Sequence, residues 1–413
     1  MATIVKRGNS YAVVYGYIAT DGERKQRWET FYSEKEAIDR KMDIENPNDF
    51  VGMNPKIRTL NDLMDYYIDV RSQTHWSMST YSNNTGRIKN YIRPYIGTVE
   101  LRHLNAHFLS RYFHKLASSA RVENKYKPKD NGLIGRSTLE EIYKLLRSIL
   151  QEAVHWGLMN ENPISNITLP RFHRAVQSML NTQQIALLIT ESMQNEDFTL
   201  ALLIQFAFIC SMRKGEILGL CWSGINLDEG YLQISQELTR ENIAALETLK
   251  YKDVYHVFDP IIATANSRLV LKTPKTYSSN RTIYLPQTFI QYLRLWKERQ
   301  QHQKDELGKE YEDYNLVFAN KNGRPFCPRK ATCLFVTAVQ NAGFPKVSFH
   351  SLRYSSTSYK LILSNGDIKA VQGDTGHAQP NMVLSVYAQI QDERRKSLAN
   401  MVAEDFYQNI GSI

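Results

Sequence analysis

Residues 199–210 are apolar at every position except Thr199 and Gln205. A helix with no polar face has nowhere to meet water, so it belongs inside a folded body with other elements packed on every side. The run falls well short of the roughly 20 residues needed to cross a bilayer, and no other stretch of the chain approaches that length. It therefore predicts the centre of a globular core. Its neighbours predict what surrounds it. Thr182 opens a helix, residues 214–220 open another, and helices return from Gln287 to the C-terminus. Residues 231–239, 267–273 and 281–285 have strand composition and predict a small antiparallel sheet beside the helices.

The remainder divides into two further segments, as 413 residues allow. Residues 59–168 carry apolar side chains at helical spacing throughout. Thr59 precedes Leu60, Leu63, Met64, Tyr67 and Ile68; a second helix covers 79–92 and stops at Pro94 and Gly97; two more cover 104–117 and 138–156. Residues 118–135, rich in Lys, Asn, Gly and Pro, predict an exposed basic loop, and Asn162, Pro163, Pro170 and the basic stretch 171–174 predict a linker. Ahead of the helices, residues 11–18 and 25–32 alternate as strands around the turn signal Thr20-Asp21-Gly22-Glu23. A helix over 34–45 follows, with Ser33 as N-cap and Glu36 three residues on. The fold class is thus multidomain, mainly α with small antiparallel sheets. It comprises a β-sheet-plus-helix module at 1–55, a helical domain at 56–170, a mixed α+β domain at 177–400 and a tail at 401–413.

The net charge of +9 is unevenly spread. Residues 56–176 hold 18 basic against 10 acidic side chains, whereas 1–55 hold 8 against 9 and 177–413 hold 25 against 23. The excess fits a polyanionic partner such as DNA, and it also fits a basic helical surface that is merely solvated. Lys125, Lys127 and Lys129 in the loop, Arg87 and Lys89 on the second helix, and Arg24, Lys25 and Arg27 on the N-terminal hairpin are the candidate DNA-binding cations. The hairpin could lie on DNA as β-ribbon readers do, or be an ordinary basic hairpin. The N-terminus lacks a signal-peptide core, so a soluble, cytoplasmic protein is expected. Cys210, Cys221, Cys327 and Cys333 form neither a zinc pattern nor a disulfide framework and read as reduced structural thiols.

Four short patterns follow one another: Ser211-Met212-Arg213-Lys214-Gly215-Glu216, Thr273-Pro274-Lys275-Thr276, His350-Ser351-Leu352-Arg353, and Gly376-His377 with Tyr387 ten residues later. Each alone means little. Jointly they supply what transfer of a phosphodiester requires. The transition state concentrates negative charge on the nonbridging oxygens, and Arg213 and Arg353 offer planar, permanently charged forks to clamp them. His350 and His377 can donate further hydrogen bonds or manage the proton of an attacking phenol. Lys275, on a turn of the small sheet, can protonate the leaving 5′ hydroxyl once its pKa is lowered locally. Tyr387 would form a covalent tyrosyl phosphate that stores the energy of the broken bond, so that a different strand can be joined without ATP. Glu216 is placed to orient Arg213. No carboxylate cluster suggests a two-metal site, so neither metal nor cofactor is expected.

This combination resembles the tyrosine recombinase family of the phage-integrase type, over most of the chain. Beyond the six catalytic positions, residues 213–220, 272–276 and 281–286 look like the family's flanking patterns. The resemblance implies an N-terminal arm-binding module, a helical core-binding domain and a tyrosine-recombinase catalytic domain. It also implies a site-specific integrase of a phage or integrative conjugative element, acting through 3′-phosphotyrosyl intermediates and a Holliday junction. The implied partners are double-stranded DNA attachment sites, three further copies in a tetramer, an excisionase and a host DNA-bending protein. Residues 372–377 and 387–390 look most like integrases from mobile elements of Gram-positive bacteria. Two departures stand out: Tyr354 replaces a histidine common in relatives, and residues 240–266 are longer than the usual turn. The extra length reads as a tolerated surface loop or as a contact to DNA or a neighbouring protomer.

After Tyr387, Leu398, Met401, Val402 and Phe406 recur at helical spacing. In the family such a tail docks on a neighbouring protomer; packing on its own domain is the alternative. A chromosome-dimer resolvase would need no N-terminal module. A type IB topoisomerase would act without sequence preference, and a binding-only regulator would normally lack an Arg or the Tyr.

Overall fold

The computed structural model describes residues 2–8, 10–18, 24–45, 57–122, 132–169, 178–275, 279–376, 399–404 and 407. Tyr387, His377, Lys125, Lys127 and Lys129 lie outside them, as does the linker 170–177, and the side chain of Arg24 is likewise outside the description. Backbone contacts divide the chain into two compact units, 1–174 and 175–413. Helices dominate, with small antiparallel sheets. Among the described residues no helix is long and apolar enough to cross a membrane.

The first unit begins with a three-stranded antiparallel sheet, β1 (Ala2–Arg7), β2 (Ser10–Ile18) and β3 (Arg24–Phe31), in the order β1-β2-β3, followed by α1 (Glu34–Glu45). Strand β1 goes beyond the two-stranded hairpin expected; six residues carrying only Ala2 and Ile4 on the inner face show too little alternation to be read. Val13, Tyr15 and Ala37 are buried between sheet and helix. Arg40 of α1 closes this small core by donating to Glu29 of β3 at 2.6 Å. Because paired residues share a face, Lys25 and Arg27, opposite Tyr17 and Tyr15, stand on the side that α1 covers. Arg7 instead stacks over the Trp28 ring on the other side, 4.5 Å from its centroid. The hairpin cations are therefore divided between the two faces.

Helices α2 (Leu60–His75), α3 (Met78–Arg87), α4 (Arg93–Ile96), α5 (Ala106–Ala117) and α6 (Arg136–His155) form a bundle. Thr59 caps α2 through a capping box in which the Asp62 amide donates to Thr59 Oγ1 at 3.2 Å and the Thr59 amide donates to Asp62 Oδ2 at 2.8 Å. Pro94 was expected to end the second helix. The chain instead continues through a π turn at Ile88–Ile92, where the Arg93 amide reaches the Ile88 carbonyl five residues back. Proline brings no donor to the next turn, and the wider turn accommodates it without stopping the helix. Buried Leu60, Leu63, Met64, Ile92, Phe113 and Leu146 fill the centre, and the Tyr112 hydroxyl donates to the Tyr91 carbonyl at 2.9 Å. Lys89 is exposed, while Arg87 is partly buried, 3.7 Å from Glu141.

The second unit is built around the apolar run. Helix α8 (Phe198–Phe208) is buried from Leu200 to Ala207 and follows α7 (Thr182–Gln194). Then come α9 (Lys214–Leu218), β4 (Ile225–Asn226), β5 (Tyr231–Ile234), β6 (Glu237–Asn242), α10 (Ile243–Thr248), β7 (Val254–Val257), β8 (Ser267–Lys272) and β9 (Arg281–Tyr284). Four helices complete it: α11 (Gln287–Leu307), α12 (Pro328–Asn341), α13 (Ser351–Leu363) and α14 (Ile368–Thr375). The single sheet expected here is two sheets, β4-β5-β9 and β6-β8-β7. The expected strand at 231–239 breaks at Ser235 and Gln236, where Gln236 Nε2 donates to the Gly219 carbonyl at 2.8 Å. Residues 240–266 are not a loop: they finish β6, form α10 with Ala245 and Leu246 buried, and add β7 to the edge of β8. All four cysteines are free.

Candidate active site

The site starts where α8 stops. Ser211 takes a left-handed backbone (φ 50°), costly for a residue with a Cβ, and it is fully buried. Its Oγ lies 2.6 Å from Ser356 Oγ and accepts from Lys360 Nζ at 2.9 Å. Lys360 also pairs with Asp374. This turn sets Arg213 at the N-cap of α9, where Glu216 closes back on it: the Arg213 amide donates to Glu216 Oε2 at 2.9 Å and Nη1 donates to Oε1 at 2.7 Å. Gly219 lets α9 lie flat on β6. A Cβ at Gly219 would sit 2.6 Å from the Leu238 amide nitrogen, and one at Gly215 would be 3.4 Å from the Leu238 carbonyl.

Three arginines converge on the C-terminus of α14. Arg281 Nε donates to the Asp374 carbonyl at 3.1 Å, Arg353 Nη2 donates to the Thr375 carbonyl, and Arg213 Nη2 donates to the Gly376 carbonyl at 3.1 Å. Three successive carbonyls thus each receive a different guanidinium, at the end of a helix whose dipole favours cations. Gly376 itself is left-handed (φ 64°) and ends α14, and His377 is the next residue.

Arg353 is 1% exposed, and its Nη1 donates to the Ser211 carbonyl. Its Nε has no partner among the described residues. Burial first, and the charge of Arg213 second, lower its pKa to about 9. The buried carboxylate of Glu216 serves Arg213 and also Arg281, 3.3 Å away. Burial alone would raise the Glu216 pKa; Arg281 and Arg213 overcome it and hold the group ionised below the ordinary range. Three guanidiniums against one carboxylate leave a buried positive excess, which a phosphate oxygen would satisfy.

His350 precedes α13, its ring edge-on to Tyr354 at 5.0 Å between centroids. Desolvation, then Arg353 and Arg213, push its pKa down, although the residue keeps an exposed face. Lys275 is exposed on the turn after β8. Ser279 Oγ, four residues on in sequence, accepts from Arg213 Nη1 at 2.9 Å. Arg213, Glu216, Arg353 and His350 are therefore assembled in one place. Among the described residues there is no group of three or more metal-ligating side chains.

Arg281, Ser211, Ser279 and the Lys360–Asp374 pair were missed as members of the site. Arg281 had a signal, its place in the recurring pattern at 281–286. The serines and Lys360 had none, because a hydroxyl or a lysine in sequence looks like any surface position.

A DNA strand-exchange enzyme is the class that this fold and this site define. The profile of the phage integrase family matches residues 178–394, and that of the phage integrase N-terminal SAM-like domain matches 59–117. The chain belongs to the phage integrase family and is a tyrosine recombinase. It is 22% identical, over 94% of each chain, to a tyrosine recombinase XerC-like protein of Caldanaerobacter subterraneus. It is 21% identical to the ICEBs1 integrase of Bacillus subtilis over 72% of this chain and 74% of that one. The fold matches the Tn1549 transposon integrase bound to transposon right end DNA, with a TM-score of 0.62 and 15% identity, covering 84% of this chain and 99% of the other. It also matches a lambda integrase tetramer bound to a Holliday junction, with a TM-score of 0.51 and 15% identity over 93% and 94%.

Proposed function

We propose that this recombinase integrates and excises a mobile element, exchanging strands through a 3′-phosphotyrosyl intermediate and a Holliday junction. The observation that carries the reading is the largely buried arginine cluster, which holds more positive charge than its single carboxylate balances. In the first step the Tyr387 oxygen attacks the scissile phosphorus and the bond to O5′ breaks. His350, kept neutral by its surroundings, or His377 takes the phenol proton. Arg213 and Arg353 stabilise the charge on the nonbridging oxygens, and Lys275 gives its proton to the departing O5′. A 5′ hydroxyl from another strand reverses the step and frees the tyrosine.

The segments take separate roles in this reading: 1–55 binds arm sites, 56–170 grips the core site with Lys89, Arg87 and the basic loop, and 177–400 cuts. The tail at 401–413 docks on a neighbour within a homotetramer; Met401 and Val402 are each more than half exposed in the single chain, as a docking face would be. Lys25 and Arg27 touch DNA from the end of the N-terminal sheet. An excisionase and a host DNA-bending protein set the direction of the reaction, which runs in the cytoplasm. The test is a suicide substrate nicked beside the cleavage site, from which the short 5′-hydroxyl fragment escapes. A Tyr387-dependent covalent adduct is expected; its absence, with DNA binding intact, refutes the mechanism.

A further inference from the structure

Lys272 lies three residues before Lys275, at the end of β8, yet the two lysines have opposite surroundings. Lys275 is exposed, whereas Lys272 is 9% exposed. Its Nζ lies 2.6 Å from Glu241 Oε1 and 3.6 Å from Glu237 Oε1, both on β6. A buried ammonium matched by one buried and one partly buried carboxylate is an expensive arrangement, since each charge must be stripped of water. Burial first raises the Glu237 pKa, Lys272 opposes that, and Glu216 is among the charges that push it up further. The cluster therefore sits within electrostatic reach of the carboxylate that holds Arg213 and Arg281.

Everything around Lys272 converges on the base of the Lys275 turn. Lys272 is paired in register with Glu237 on one side and with Val254 of β7 on the other. The next amide, that of Thr273, donates at 3.0 Å to the Asp253 carbonyl. Asp253 belongs to a turn in which Lys250, Tyr251 and Asp253 all have left-handed backbones (φ 48°, 55° and 62°), a conformation side chains resist. Ser279, four residues after Lys275 in sequence, accepts a hydrogen bond from Arg213. Strand β6, which supplies both carboxylates, is also the strand against which Gly219 lays the Arg213 helix. One strand thus touches the arginine half of the site through backbone and the lysine half through Lys272.

We infer that Lys272, held by Glu241 and Glu237, is a positioning residue that fixes the Lys275 turn relative to Arg213, so that the general acid meets the leaving oxygen. The inference rests on Lys275 being that acid. On that footing the loss of Lys272 falls chiefly on leaving-group protonation. A substrate with sulfur in place of the bridging O5′ bypasses that step, because a thiolate departs without a proton.

Single-turnover cleavage by the full chain is to be measured on the oxygen and the sulfur substrates, with Lys275→Ala as the benchmark. Lys272→Met is expected to cut the oxygen substrate about 100-fold more slowly, the scale of a lost general acid, and the sulfur substrate within about twofold of the unaltered protein. The paired variant Lys272→Met with Glu241→Gln removes the ammonium together with its nearer carboxylate and carries the test if the single variant does not fold. Unchanged cleavage of the oxygen substrate, or equal slowing of both substrates by a folded variant, overturns the inference. If the unaltered protein forms no adduct with either substrate, or sulfur fails to rescue Lys275→Ala, it is the parent mechanism that fails.

Discussion

Glu216→Gln removes one negative charge and almost no volume. The carboxylate is 1% exposed and receives the Arg213 amide, Arg213 Nη1 and Arg281 Nη2, so the variant leaves two guanidiniums beside Arg353 with no nearby counter-charge. Removing one partner of a buried ion cluster costs about 3–5 kcal/mol; glutamine keeps one acceptor oxygen, which places the expected loss near about 3 kcal/mol. The loss must also depend on pH, with a definite sign. The folded pKa of Glu216 lies below its ordinary value of 4.5, so its stabilisation is complete above that value and fades as pH falls through the folded one. The gap between the unaltered protein and the variant should therefore be widest near about pH 7 and shrink by about pH 4. Urea denaturation at each pH provides the measurement, with hydrogen exchange of α8 amides assigning the transition to the second unit. A gap that stays constant across that range would show that Glu216 is not held ionised by the arginines, and no gap at all would remove it from the site.

Gly219→Ala places a methyl 2.6 Å from the Leu238 nitrogen and 2.8 Å from the Glu237 carbonyl carbon, both backbone atoms that cannot step aside; a loss of about 3 kcal/mol is expected in the same denaturation assay, together with weakened cleavage. His350 has a folded pKa below its ordinary 6.5, so its neutral form suits the fold and acid favours unfolding. As pH falls below about 6.5 the unaltered protein should lose stability relative to His350→Gln, and a gap opening in the other direction would contradict the burial argument. Thr59→Ala deletes one side of a capping box and should lower the stability of the helical bundle by about 1 kcal/mol, while the rate of strand cleavage on bound DNA stays as it was.

What could be read from sequence follows from how local each signal is. The buried character of α8, the cap at Thr59 and the helix start at Thr182 depend on neighbours within a few residues, and those elements stand where the pattern put them. The π turn at Ile88–Ile92 depends on how a bundle absorbs Pro94, and the division into two sheets depends on α9 pressing against β6; both are tertiary choices that local composition does not encode. Within the arginine cluster, Arg213 and Arg353 were legible because phosphoryl chemistry restricts the residue types that can serve. Ser211 acts on other protein groups through a strained turn, a role that leaves no chemical requirement visible along the chain, and Arg281, which holds Glu216, showed only through its place in the 281–286 pattern.

The account stands or falls on which side chain becomes joined to DNA. After trapping with the nicked substrate and digestion with protease, the peptide that carries the nucleotide can be sequenced by mass spectrometry. The chain contains 24 tyrosines. The account predicts a single phosphotyrosyl linkage, at Tyr387, lost entirely in Tyr387→Phe; a nucleotide on any other tyrosine, or on another residue type, would contradict it.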